Sequence, residues 1–90
     1  MKKSKILIDN LSVQWSRTDS EGLTRVVPTD SFRTGFVVIA KIGPLAEALD
    51  YYPELLMARD RVVVSIDDSD EAKASKLAKQ IDALLDETLG

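Results

Sequence analysis

The 90 residues contain no histidine and no cysteine. Without cysteine there is neither a disulfide nor a thiolate metal site to staple the fold, and nothing argues for secretion. Without histidine no serine has a histidine base beside it, and the one side chain whose unperturbed pKa lies near neutrality is missing. Glycine-rich phosphate loops are also absent. No run of 18 apolar residues occurs, so no transmembrane helix is expected. The basic start Met1-Lys2-Lys3-Ser4-Lys5 leads only into Ile6-Leu7-Ile8 before Asp9, too short for the apolar core of a signal peptide. These absences point to a cytoplasmic protein with no membrane partner. Excess positive charge is lacking as well: the isoelectric point is near 4.8 and no basic stripe is interleaved with aromatics, so nucleic acid is not an expected partner.

What is present is a small acidic chain of uneven charge. Residues 1–45 hold seven Lys or Arg against four Asp or Glu, and residues 46–90 hold five against eleven, giving halves of +3 and −6. Such a polarised surface can steer a charged partner or a second copy of the chain, although scattered solvated charges are the plainer reading. At 9.9 kDa the scaling laws give roughly 5,200 Å² of folded surface against roughly 14,400 Å² unfolded, a burial of about 60–65% that an oligomer would improve.

One domain over residues 1–90 is expected, with no repeat and no linker. Val13 to Arg17 alternates as a half-buried strand, with Val13 and Trp15 inward. Asp19-Ser20-Glu21-Gly22 makes a turn in which Gly22 can take positive φ, and Leu23 to Val27 returns until Pro28. Thr29-Asp30-Ser31 offers an N-cap for a helix from about Ser31 to Asp50, whose apolar positions are Phe32, Phe36, Ile39, Ala40 and Ala46. Trp15 and Phe32 are expected as core or interface anchors. Gly43-Pro44 should kink that helix rather than break it, because the proline lacks a donor for the Ala40 carbonyl. Pro53 forces the helix to end before it and holds Tyr52 extended. Glu54 to Ala58 and the β-branched run Arg61 to Ile66 form a second hairpin around Arg59-Asp60. The last helix is capped by Asp67, Asp68 or Ser69 and presents Ala74, Leu77, Ala78, Ile81, Leu84 and Leu85 as one stripe. The order β-β-α-β-β-α with short hairpins implies an α+β fold, a four-stranded antiparallel sheet with its helices on one face.

Two acidic clusters are candidate sites. Asp67-Asp68-Ser69-Asp70-Glu71 could bind a hard cation, but it lacks the loop spacing of a calcium site and stands where a helix cap is due, so no metal is expected. Glu47 and Asp50, three apart, share a helix face with nothing basic beside them, which favours a solvated role.

The most specific segment is Leu45-Ala46-Glu47-Ala48-Leu49-Asp50-Tyr51-Tyr52-Pro53-Glu54-Leu55-Leu56. It resembles the pterin-4a-carbinolamine dehydratases. Asn10-Leu11-x-Val13-x-Trp15 and Asp30-Ser31-Phe32-x3-Phe36 extend the likeness to about 80 of the 90 residues. In that family a His-His pair precedes the proline and a third histidine follows it by 16 positions. Here the pair reads Tyr51-Tyr52 and the third position, counted without gaps, reads Ser69. The aromatic expected six places after the proline reads Arg59, and Leu55 and Leu56 stand where aromatics would wall a pterin. Glu47 and Pro53 are kept. The resemblance implies the same fold and association as a homodimer or homotetramer.

Dehydrating a 4a-carbinolamine needs groups that exchange protons near working pH. Tyrosine, with a reference pKa near 10, does not meet that need without a large shift. The chain is therefore expected not to be an enzyme and to need no cofactor. Tyr51 and Tyr52 serve either as packing at a helix exit or as a surface that binds a partner. Family-like proteins without the histidine pattern are similar to the RuBisCO assembly factors associated with α-carboxysomes. The leading expectation is an assembly chaperone for RuBisCO subunits; active dehydratase is the alternative, and a coactivator-like role on a helical DNA-binding partner is a third.

Overall fold

A computed structural model describes residues 15–18 and 22–89. The expected positions Val13, Asp19, Ser20 and Glu21 lie outside the described residues, as do Asn10 and Leu11. The elements are β1 (Trp15–Thr18), β2 (Gly22–Pro28), α1 (Phe32–Leu49), β3 (Glu54–Ala58), β4 (Arg61–Ile66) and α2 (Glu71–Leu89). The strands form one antiparallel sheet in the order β1-β2-β4-β3.

Alternation along the strands decides which face is covered. Leu23, Val27, Val62, Val64 and Ile66 are buried against α1 and α2, with Leu23 opposite Ile66 and Val27 opposite Val62 in register. Val26 and Leu56 point the other way and are 51% and 57% exposed. The sheet thus has one face under helices and one open face, as the α+β reading requires.

Gly22 shows why the first hairpin needs glycine. Its φ is +87°, and a Cβ there would meet the Ile66 carbonyl oxygen at 2.2 Å. Pro28 closes β2 opposite Arg61, and the next backbone N–H, that of Thr29, donates to the Asp60 carbonyl at 2.9 Å.

Helix α1 begins and ends where the sequence indicates. The Ser31 hydroxyl accepts the Thr34 N–H at 3.2 Å, and Asp50 closes the helix in the left-handed conformation, φ 55° and ψ 44°, its N–H reaching the Ala46 and Glu47 carbonyls. The helix runs through Pro44 without interruption.

Its expected face needs correction. The buried positions are Gly35, Val38, Ile42 and Ala46, with Ile39 half-buried, whereas Phe32 and Phe36 are 56% and 64% exposed and Ala40 is also exposed. Phe32 is therefore no core anchor. The cause is close packing at Gly35, where an added Cβ would sit 3.3 Å from Val62. The small residue brings that side of the helix onto β4 and turns the large phenyl rings outward.

Helix α2 buries Ala74, Leu77, Ala78, Ile81 and Leu85, and Leu84 packs against them from the edge. Its cap also needs correction. Asp70, rather than Asp67, Asp68 or Ser69, accepts the Lys73 N–H at 3.1 Å through its side chain and the Ala74 N–H at 2.9 Å through its carbonyl. Trp15 is buried, and its indole N–H donates to Asp82 Oδ1 of α2 at 2.8 Å. The same oxygen pairs with Arg25, which lies beside Trp15 on the covered side of the sheet.

Candidate functional site

The site follows from how three segments meet. Asp50 ends α1 in the left-handed conformation, the Tyr51 N–H bonds back to the Ala46 carbonyl at 3.1 Å, and the chain then extends through Tyr52 and Pro53 into β3. Strand β4 returns alongside β3 and delivers residues 67–70 beside this helix exit.

Tyr51 is half-buried against the core and its hydroxyl is fully engaged. It donates to the Asp67 carbonyl, accepts the Asp70 N–H at 3.1 Å and lies 3.3 Å from Ser69 Oγ. The positions singled out from the sequence as Tyr51 and Ser69 are thus brought together across 18 residues of chain. In this setting the phenol gives its proton to the Asp67 carbonyl and one lone pair to the Asp70 N–H.

Tyr52 faces solvent, 57% exposed, with its hydroxyl 3.4 Å from Glu47 Oε1. Desolvation at the helix exit, followed by the Glu47 and Asp50 carboxylates, raises its phenol above the ordinary 10.0. Every cause acts against the phenolate, so this group is further from a neutral-pH base than a free tyrosine.

The remaining positions separate. Pro53 lies half-buried between Tyr52 and β3. Arg59 is in the exposed turn at the far end of β3, whose five residues carry it roughly 16 Å along the strand from the helix exit. Leu55 packs toward the core and Leu56 toward the open face, so adjacent positions on one strand do not wall a single pocket. An open depression lined by Glu54, Leu55, Leu56, Val63 and Ser65 lies along β3 and β4, not at the Tyr51 hydroxyl.

The acidic run has structural partners. Asp67 Oδ1 accepts the Ser69 N–H at 2.9 Å, Asp68 pairs with Arg17 at 2.8 Å, and Asp70 caps α2. Among the described residues no group of three or more acidic side chains converges to hold a metal, and no helix is long and apolar enough to cross a membrane. The outward phenyl rings of α1 and the Trp15–Asp82–Arg25 cluster were not legible as features. Only the near-continuous apolar composition of Phe32–Leu49, which leaves the inward face ambiguous, hinted at the first.

Comparisons with known proteins agree with the fold. The family described as Pterin 4 alpha carbinolamine dehydratase matches residues 2–84. A crystal structure of a transcriptional coactivator/pterin dehydratase from Brucella melitensis is similar at 27% identity, with 93% of this chain and 95% of that chain covered and a TM-score of 0.81. A pterin dehydratase-like protein, identified as a RuBisCO assembly factor in the alpha-carboxysome, shares the fold at 18% identity, with 79% of this chain and 88% of that one covered and a TM-score of 0.68. No curated protein matches the chain. With the family pattern spanning nearly the whole sequence and the same sheet and helices beneath it, the chain belongs to the pterin 4 alpha carbinolamine dehydratase family.

Proposed function

We propose that this chain keeps the dehydratase scaffold without the dehydration chemistry and acts as a binding protein, an assembly factor for RuBisCO subunits in the cytoplasm, associated with the carboxysome. The observation that carries the first half is the engaged Tyr51 hydroxyl: at a position where the family resemblance implies a histidine, the side chain is tied to Asp67, Asp70 and Ser69. Tyr52, at the second such position, has its phenol displaced upward and away from neutrality. General acid and base catalysis works best with groups that titrate near the operating pH, and the shift at Tyr52 runs the other way.

The second half is supported by the shared fold of the pterin dehydratase-like protein known as a RuBisCO assembly factor. A factor that covers the association surface of a folded subunit lowers the population free to aggregate, by mass action. This chain, acting as a small homo-oligomer, would do so through exposed apolar surface such as Val26 and Leu56 on the open face of the sheet. The test is binding of purified RuBisCO large and small subunits to the purified chain. Retention of either subunit is the expected result, and passage of both without retention would end the proposal.

Active dehydratase is the second reading, favoured by the family itself and by Glu47 standing 3.4 Å from the Tyr52 hydroxyl. It predicts faster breakdown of a synthetic 4a-carbinolamine than in buffer. Equal rates would remove it.

A further inference from the structure

We propose that the open face of the sheet holds an arginine side chain of a protein partner, its guanidinium on Glu54 and Ser65 and its methylenes along Leu56 and Val63. The inference rests on the binding role above and names the chemistry that the partner presents to this face. Strand register lays the outward positions of β2, β4 and β3 in three rows that cross the strands. Thr24, Ser65 and Glu54 form a polar row, which Ser16 of β1 extends. Beside it Val26, Val63 and Leu56 form an aliphatic row, and Pro28, Arg61 and Ala58 form the third. Val26 and Leu56 are exposed and Val63 is half-buried, so the aliphatic row is open to contact.

Charge on this face selects the occupant. Among the described residues the three rows carry two charged side chains, Glu54 and Arg61. Arg61 already pairs with Asp60 at 2.9 Å. Glu54 is exposed and has neither an ion pair nor a hydrogen bond to another described residue. A neutral surface laid over the aliphatic row would strip water from this carboxylate and leave it unpaired, which opposes the contact. An anionic surface would add repulsion. A cation carried beside apolar groups satisfies both rows at once.

The geometry favours arginine as that cation. The Glu54–Ser65 pair and the Leu56–Val63 pair stand two residues apart along the strands, about 7 Å, a distance suited to a stem of three methylenes ending in a guanidinium. The planar fork can meet both oxygens of Glu54 and still donate to Ser65 Oγ, whereas the ammonium of lysine is a point charge. The depression lined by Glu54, Leu55, Leu56, Val63 and Ser65 lies where the side chain would rest and holds about 400 Å³. It is open to solvent, so it does not enclose a free small molecule as a ligand pocket does. A side chain delivered by a larger covering surface is closed in by that surface.

The test has two arms. In the first, amide resonances of the isotope-labelled chain are followed while acetylated leucyl-arginyl-leucine amide is added, with the citrulline peptide, similar in shape but uncharged, as comparison. Saturable shifts are expected at Glu54, Leu56, Val63 and Ser65 with a Kd of about 1 mM. Binding should be about tenfold weaker for the citrulline peptide, and for the arginine peptide on Glu54→Gln, a change at an exposed position that leaves the fold alone. Absence of shifts at these positions, or equal affinity for the two peptides, would overturn the proposal. In the second arm, Glu54→Lys is expected to weaken retention of a RuBisCO subunit by about tenfold or more. Retention undiminished by Glu54→Lys would overturn the arginine site and leave the assembly role standing. Arginine-specific shifts with neither subunit retained by the parent chain would remove the assembly role and support the site.

Discussion

The Tyr51 hydroxyl accepts the backbone N–H of Asp70 at 3.1 Å, joining the exit of α1 to the residue that caps α2. The same oxygen donates to the Asp67 carbonyl, so one phenol holds both ends of the turn that leads into the last helix. The Tyr51 side chain is a structural clasp at this turn.

Removing that clasp should cost stability. Tyr51→Phe keeps the ring against the core but leaves the Asp70 N–H and the Asp67 carbonyl to water. The expected loss is about 1 kcal/mol, because the turn is exposed enough for solvent to replace part of each bond. Urea unfolding of the two proteins measures it, and an unchanged midpoint would show that the clasp contributes nothing.

Tyr52 gives a pH dependence with a defined sign. Its phenol is raised above 10.0 in the folded state, so the folded protein holds the proton more tightly than the unfolded chain. The associated stability is complete below pH 10.0 and is lost as the pH rises through the folded-state value. Phenolate absorbance should therefore show one tyrosine titrating later than a free one, and Glu47→Gln should move that midpoint down. A midpoint unaffected by Glu47→Gln would leave desolvation and Asp50 as the causes and remove Glu47 from them.

Asp82 supports two partners on a different strand pair. Asp82→Ala strips the acceptor from the buried Trp15 indole and from Arg25, whose side chain is only 14% exposed. The expected cost is about 2–4 kcal/mol, since a mostly buried guanidinium loses its charge partner. The single tryptophan makes its own fluorescence the natural probe.

Gly22→Ala places a methyl group at positive φ and 2.2 Å from the Ile66 carbonyl oxygen. Both effects act against the β1–β2 hairpin, and the loss should exceed about 2 kcal/mol in thermal unfolding. A melting temperature equal to that of the parent would mean the backbone there can relax freely.

Much of this architecture is local and was readable as such. The hairpins at Gly22 and Arg59-Asp60, the Ser31 cap and the stop before Pro53 each depend on residues within a few positions of one another. Ser69, reached by counting from Pro53 through a short hairpin, lies 3.3 Å from the Tyr51 hydroxyl. The inward face of α1 is ambiguous in the sequence because apolar residues nearly encircle the helix, and tertiary packing selects the side that carries Gly35, Val38, Ile42 and Ala46. The Trp15–Asp82 bond spans 67 residues and the Tyr51–Asp70 bond 19, so neither follows from spacing. Asp70 won the cap over its acidic neighbours because Asp67 and Asp68 are held by Ser69 and Arg17.

Histidines at the two helix-exit positions test the proposed non-catalytic role. The double variant Tyr51→His with Tyr52→His is expected to fold but not to dehydrate a 4a-carbinolamine, because Ser69 still occupies the third position and Leu56 faces away from the helix exit. Turnover above buffer would show that the rest of the pocket was undervalued.

The most direct measurement is the yield of assembled RuBisCO when its large and small subunits are co-expressed with and without this chain. The account predicts more soluble holoenzyme when the chain is present, with no change when an unrelated protein of similar size replaces it. Equal yields with and without the chain would contradict it.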